Sequence, residues 1–203
     1  MNPRKKKSGK NEDVSRVIGI PFDVDPELKN NSATKAEKQK AKQNADKLVS
    51  FLKEQSYSDP YVDDSGNGYH IIQKVIFSVE NSCRLENQTR NYFKEIQRVT
   101  PFKLDSIYDL ARVIKVPGTL SVKGENTQER PHRTAKILSL GSSEPDRKLM
   151  EHIENIKFSF VESYELSSEV NKLENWYLID KRFHSLNPCQ KKLYANWWNT
   201  RTS

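Results

Sequence analysis

The feature that most constrains the fold is the stretch Val14 to Asp25, where apolar and polar residues alternate with a period of two. Ile18, Ile20, Phe22 and Val24 fall on one face of an extended strand, so Asp23 and Asp25 share the other. Pro21 sits inside this run and has no N–H to give to a ladder. The strand therefore belongs at a sheet edge, or carries a bulge just ahead of the acidic pair.

Thr34 and Glu37 have the spacing of a capping box, and Ala41, Ala45, Leu48 and Leu52 then recur at four, three and four residues. That pattern predicts a long helix with one apolar stripe and a lysine-rich opposite face. Short strand character follows at Pro60 to Val62. The Asp64 to Gly68 segment reads as a turn, and Tyr69 to Val79, rich in β-branched residues, as a strand. Cys83 to Val99 reads as a second helix with Tyr92, Ile96 and Val99 on one side, ended by Pro101. A short strand at Phe102 to Leu104, a single helical turn from Asp105 to Leu110, and strands at Arg112 to Val116 and Thr134 to Leu140 complete the expected core. The polar loop Gly118 to Pro131 lies between the last two strands. Pro145 to Ile156 reads as another helix, whereas 160–203, with Trp176, Trp197 and Trp198, has no clear period. Helices and strands alternate irregularly, which predicts an α+β fold with an antiparallel sheet rather than a doubly wound parallel one. The expected organisation is a disordered basic tail over 1–13, a core over 14–140 and a helical C-terminal extension over 141–203.

Composition narrows the function classes. No run of about 18 apolar residues occurs, so no membrane-spanning helix is expected. The basic N-terminus has no apolar stretch behind it and is not a secretory signal. Cys83 and Cys189 are far apart and form no C-x-x-C pair, which removes a zinc ribbon and suits a reduced, cytoplasmic setting. Five of the seven net positive charges fall in the first ten residues, on Arg4, Lys5, Lys6, Lys7 and Lys10. Such a tail is either a solvated segment or a salt-sensitive phosphate attractor.

Three short motifs carry chemistry. Asp23-Val24-Asp25 at a strand end puts two carboxylates on one face, about 7 Å apart. Hard cations such as Mg²⁺ or Mn²⁺ take ligands of this kind, although D-x-D-P is also an ordinary turn. Ser65-Gly66-Asn67-Gly68-Tyr69-His70 allows a close backbone approach, with N–H groups for phosphate oxygens and His70 delivered at the start of the next strand. Its plain alternative is a hairpin turn with an exposed histidine. Asp105 is a third carboxylate, alternatively a helix N-cap, with Asp109 four residues on. Arg112, Lys115, Lys123, Arg130 and Arg133 supply groups suited to triphosphate and nucleic-acid backbone.

In this order the motifs resemble the catalytic core of the archaeo-eukaryotic primase superfamily, in particular the primase-polymerases of plasmids and prophages. The D-x-D at 23–25, the S-G-N-G-Y-H at 65–70 and Leu104-Asp105 match its three motifs. Ala111 to Thr119, Lys123-Gly124 and Arg130-Pro131-His132-Arg133 resemble the basic runs of that branch. The resemblance spans roughly 14–140. It implies an RRM-like sheet flanked by helices, with Asp23, Asp25 and Asp105 as catalytic metal ligands for Mg²⁺ or Mn²⁺. It further implies that Ser65, Gly68, His70, Arg112, Lys115 and Lys123 bind the nucleotide, and that Arg130 and Arg133 meet the nucleic acid. The implied partners are a single-stranded DNA template, nucleoside triphosphates, and a separate helicase or a subunit completing the domain. Relatives carry an α/β module ahead of the first motif, and this chain is expected to lack it; Lys115 stands where arginine is common. Two other readings follow from the residues. One is a non-catalytic nucleic-acid-binding module of the same fold. The other, a rolling-circle endonuclease, lacks the His partner that chemistry needs two residues from His70.

Overall fold

The computed structural model describes residues 2–3, 9–26, 30–80, 82–105 and 107–156. Among the described residues nine strands and α-helices follow in chain order: β1 (Arg16–Val24), α1 (Lys35–Glu54), β2 (Tyr61–Asp64), β3 (Tyr69–Ser78), α2 (Ser82–Val99), β4 (Leu120–Ser121), β5 (Arg133–Thr134), β6 (Lys136–Ser139) and α3 (Arg147–Asn155). The fold is α+β. Four strands form an antiparallel sheet in the order β1-β3-β2-β6, and β4 and β5 pair in a separate ribbon. β1 and β2 run in the same direction, joined through α1, with β3 inserted between them as in a split βαβ unit.

β1 pairs on one side only, which is where Pro21 can stand without breaking a ladder. The register slips between Val17 and Gly19, and that bulge changes the phase of the strand. Val17 is buried and Ile18 is 37% exposed, so the expected apolar face holds only from Ile20 onward. Asp23 stays opposite the face that buries Phe22 and Val24.

α1 starts at the expected capping box. The Thr34 hydroxyl accepts from the Glu37 N–H at 3.2 Å, and the Glu37 carboxylate accepts from the Thr34 N–H at 2.7 Å. Its buried stripe is Ala41, Ala45, Leu48 and Leu52. Tyr69, Ile71, Gln73, Val75 and Phe77 line the covered face of β3, while Lys74, Ile76 and Ser78 are exposed on the other. On the covered side Phe22 packs against Tyr92 and Phe93 of α2, with ring centroids 6.0 and 5.8 Å apart. Gln73 is buried there and accepts from the Tyr92 hydroxyl at 2.6 Å. α3, N-capped by Asp146, adds Leu149 and Ile153 to the same core. Val99, expected on the core side, is exposed in the last turn of α2.

Several expected elements are replaced by irregular chain. Phe102 to Leu104 forms no strand, because its neighbours' donors go elsewhere: the Leu104 N–H to the Gln97 side chain and the Asp105 N–H to the Asp23 carbonyl. Asp105 and 107–110, the described part of the expected helical turn, are not helical. Ile107 donates to the carbonyl of Asp105, and buried Leu104, Ile107 and Leu110 anchor the segment. Arg112 to Val116 joins neither sheet. The expected strand Thr134 to Leu140 breaks at Ala135, whose N–H and carbonyl pair with Thr119 and Gly118, so β5 and β6 enter different sheets.

The segment expected as a disordered tail is in part tied to the core. Asn2 accepts from the Ile18 N–H and donates to the Leu110 carbonyl, and Asn11 accepts from the Ala111 N–H. A 3₁₀ turn spans Asn11–Asp13. Residues 4–8 lie outside the described residues. So do Cys189, the three tryptophans and the part of the expected C-terminal extension beyond 156.

Candidate active site

The site lies at one end of the open sheet face. Asp23 on β1 is in register with His70 on β3, and His70 with Asp63 on β2. Cross-strand partners point to the same face, so the three side chains form one row across three strands. His70 and Asp63 are buried, at 5% and 1% exposure, although their face is otherwise open. The His70 Nδ1 lies 2.8 Å from the Asp63 Oδ1. A carboxylate can only accept, so Nδ1 carries the hydrogen.

Asp25 follows Asp23 past the strand end, where the turn before β3 meets it. The ideal Cβ of an alanine at Gly68 would sit 2.5 Å from the Val24 carbonyl oxygen and 2.9 Å from the Asp25 Cα. Only glycine permits that approach. The turn itself is closed internally. Ser65 Oγ accepts from the Gly68 N–H at 3.0 Å, and the Ser65 N–H donates to the Gly68 carbonyl. Asp64 accepts from the Gly66 N–H at 2.7 Å and from Lys38 of α1 at 2.5 Å. Gly66 adopts φ of 98° and lies against Ser121, which further requires glycine. The Asn67 amide donates to the Ser121 hydroxyl, and its carbonyl accepts from the Ala33 N–H.

The third carboxylate arrives from a separate part of the chain. The Asp105 N–H donates to the Asp23 carbonyl at 3.3 Å, and the Asp105 side chain is exposed beside it. Electrostatics register the convergence. Burial, then the charge of Asp25 and that of Asp105, push the Asp23 carboxyl from 3.8 up to about 7, against the opposing pull of His70 and Lys123. Burial alone would lower the His70 imidazole, but the hydrogen bond to Asp63 and the charges of Asp23, Asp63 and Asp25 outweigh it and raise the ring above 6.5.

Asp23 Oδ1 and Asp25 Oδ1 are buried with no hydrogen-bond partner among the described residues. Buried carboxylate oxygens are costly without a donor or cation, and a hard divalent ion suits them. The donor set therefore fits Mg²⁺ or Mn²⁺ in kind. Among the described residues, however, no three acidic, histidine or cysteine groups stand close enough to hold an ion as they are. Of the three motif carboxylates, Asp105 is the exposed one.

The expected basic set divides. Lys123 reaches Asp25 at 3.4 Å and belongs to the site. Arg112 pairs with Asp109 at 3.6 Å, and Lys115 donates to the Leu120 carbonyl at 2.6 Å; no contact ties either to the carboxylates among the described residues. Arg130 forks onto both oxygens of Glu37, at 3.0 and 3.2 Å, and onto the Ser32 carbonyl at 2.8 Å. Arg133 donates to the Ala33 carbonyl at 2.7 Å. These two arginines clamp the chain between the D-x-D and α1. The motif reading named Asp64 and Asn67 only as turn residues and did not single out Asp63 or Lys38. A longer β2 would have exposed Asp63, since pairing Asp64 with Tyr69 across the turn sets it opposite His70.

No family model, curated protein or solved structure matches the chain. No helix among the described residues is long and apolar enough to cross a membrane.

Proposed function

We propose that this chain is a primase-polymerase-type nucleotidyltransferase, joining nucleotides on a single-stranded DNA template in the replication of a plasmid, virus or prophage. The observation that carries the reading is geometric: the Asp105 N–H donates to the Asp23 carbonyl at 3.3 Å and Asp23 stands in register with His70, so acidic residues of two distant motifs meet beside the histidine. The sheet order supports it. The order β1-β3-β2 is compatible with three strands of an RRM-like sheet; the irregular 102–105 segment meets β1 through one backbone hydrogen bond at Asp23 where a fourth strand would stand.

In this reading Asp23, Asp25 and Asp105 hold Mg²⁺ or Mn²⁺, which when bound lowers the barrier by neutralising charge on the attacking and leaving oxygens. Lys123 and His70 set positive charge at the same end of the sheet, where a triphosphate needs it. The Ser65–Gly68 turn fixes the floor against which Asp25 is held. Arg130 and Arg133 keep the 31–34 segment in place, and their proposed contact with nucleic acid is secondary to that. Nucleoside triphosphates and template are the partners, with a separate helicase or completing subunit, in a cytoplasmic setting.

The test is primer synthesis or extension on single-stranded DNA with labelled nucleotides and Mn²⁺ or Mg²⁺. Product from the wild type and none from Asp23→Ala/Asp25→Ala supports the reading. One observation favours a second reading, a non-catalytic nucleic-acid-binding module: the three carboxylates are not preassembled around an ion position. Binding of single-stranded DNA by a folded wild type that makes no product would select it.

A further inference from the structure

Asp63 lies outside the three motifs, yet it is the most completely buried acidic group at the site. It is 1% exposed on β2, between His70 on β3 and Ile137 on β6. Its Oδ1 accepts from the His70 Nδ1–H at 2.8 Å, and its Oδ2 is buried with no hydrogen bond of ordinary geometry among the described residues, although the Tyr61 side chain on the same strand interacts with the carboxylate. A buried carboxylate with one oxygen poorly satisfied is an expensive way to join two strands. An apolar residue of similar size would stabilise the same row without the desolvation cost. What an apolar residue cannot do is fix which ring nitrogen of His70 carries hydrogen and which way the ring faces.

We infer that Asp63 is the positioning residue for His70: it accepts from Nδ1–H, so that the charged ring has only Nε2–H left to donate to an oxygen of the substrate's triphosphate. The inference rests on the nucleotidyltransferase reading. It adds a residue that touches no substrate and acts through another side chain, as carboxylates behind metal-bound histidines do. In a row of three cross-strand partners the ring has carboxylates on both sides. Asp63 is the buried one that spends its hydrogen bond on Nδ1.

Two measurements on the full chain test this. The first is long-range ¹H–¹⁵N NMR of the His70 ring, without metal or nucleotide, at a pH where the ring is neutral. The Nδ1–H form is expected in the wild type and in Asp63→Asn, whose side-chain carbonyl still accepts, and is lost in Asp63→Ala. Asp63→Leu, which fills the volume, replaces the alanine variant if that one does not fold. The second is steady-state primer extension with dATP on a poly-dT template. Asp63→Ala is expected to raise the KM for dATP about tenfold with a smaller change in kcat. Asp63→Asn should stay within about threefold of wild type, and Asp63→Ala should add nothing in a His70→Ala background. An unchanged tautomer in folded Asp63→Ala or Asp63→Leu overturns the inference, as does a KM effect that persists without His70. If the wild type extends no primer, the nucleotidyltransferase reading fails separately, and the NMR result alone decides whether Asp63 orients His70.

Discussion

The backbone N–H of Asp105 donates to the backbone carbonyl of Asp23 at 3.3 Å, so the first and third acidic motifs are joined through main chain rather than side chain. Buried Leu104 and Ile107 on either side hold Asp105 there whatever its side chain does. Asp105→Ala should therefore leave thermal stability within about 0.5 kcal/mol of wild type, as for an exposed position. The same change should reduce metal-dependent primer extension by about a hundredfold, and should lower the proton affinity of Asp23 because one repelling charge is gone. Thermal unfolding, extension assays and an NMR titration of Asp23 read the three effects independently.

The raised Asp23 carboxyl makes a signed prediction for stability. Its folded pKa of about 7 stands above the ordinary 3.8, so between those values the folded chain binds more protons than the unfolded one. Stability contributed by this group is thus lost as pH rises through that window, and the cost is complete above about pH 7. Asp23→Asn should match wild type near pH 4 and exceed it at pH 8 by on the order of 2 kcal/mol, with one pKa unit worth about 1.4 kcal/mol and the site relaxing around the charge. Adding Mn²⁺ at pH 8 should raise the Tm of the wild type and not of Asp23→Asn. A flat difference between the two proteins from pH 4 to 8 would contradict this account of Asp23.

Gly68 is required by space, not by an unusual backbone angle. A methyl group there meets the Val24 carbonyl and the Asp25 Cα at distances real side chains do not reach, so main chain must move. Gly68→Ala should destabilise by about 1–3 kcal/mol, in the range of an overpacked interior position. It should also weaken Mn²⁺ binding, because it displaces Asp25. Gly118→Ala is the contrasting control: an added Cβ there meets nothing within 4 Å, and the cost is confined to its φ of 86°. Isothermal titration with Mn²⁺ should separate them, with affinity changed in the first and kept in the second.

Periodic segments were legible in the sequence, and segments ordered by distant contacts were not. The stripe Ala41, Ala45, Leu48 and Leu52 and the Thr34–Glu37 box are encoded within one helix, and they stand where the pattern puts them. Pro21 forecast an edge strand or a bulge just ahead of the acidic pair, because a missing donor is a local fact, and the edge is what the sheet shows. The bulge at Val17–Gly19 is not local. It depends on how β1 meets β3, and it moved Ile18 out of the face that simple alternation assigned to it. The 102–116 region fails for the same reason. One donor is taken by Gln97, seven residues upstream, but two others go to Asp23 and Asn11, partners that no window of neighbouring residues contains. At the candidate site the motif residues Asp23, Asp25, His70 and Asp105 converge, whereas the basic residues do not sort by charge alone. Lys123 reaches Asp25, but Arg130 meets a capping glutamate that helix chemistry had already placed.

That last contact distinguishes a clamp from a nucleic-acid ligand. Arg130 gives Glu37 a two-pronged contact and caps the Ser32 carbonyl, tying the 120–135 hairpin to the start of α1. The Thr34 N–H first, then Arg130, holds the Glu37 carboxyl below its ordinary 4.5, so the stability from this contact is present above that pH and fades as pH falls further. Both side chains are about one-third exposed, so solvent screens the pair and Arg130→Ala should cost only about 1 kcal/mol at neutral pH. Arg130→Lys should recover little of that, since an ammonium cannot span both carboxylate oxygens and the Ser32 carbonyl. A double-mutant cycle with Glu37→Ala should show the two losses are not additive. The salt dependence of single-stranded DNA binding should keep its slope in Arg130→Ala. A slope reduced by about 0.7, the single-strand value for one phosphate contact, would place the guanidinium on the nucleic acid instead of the cap.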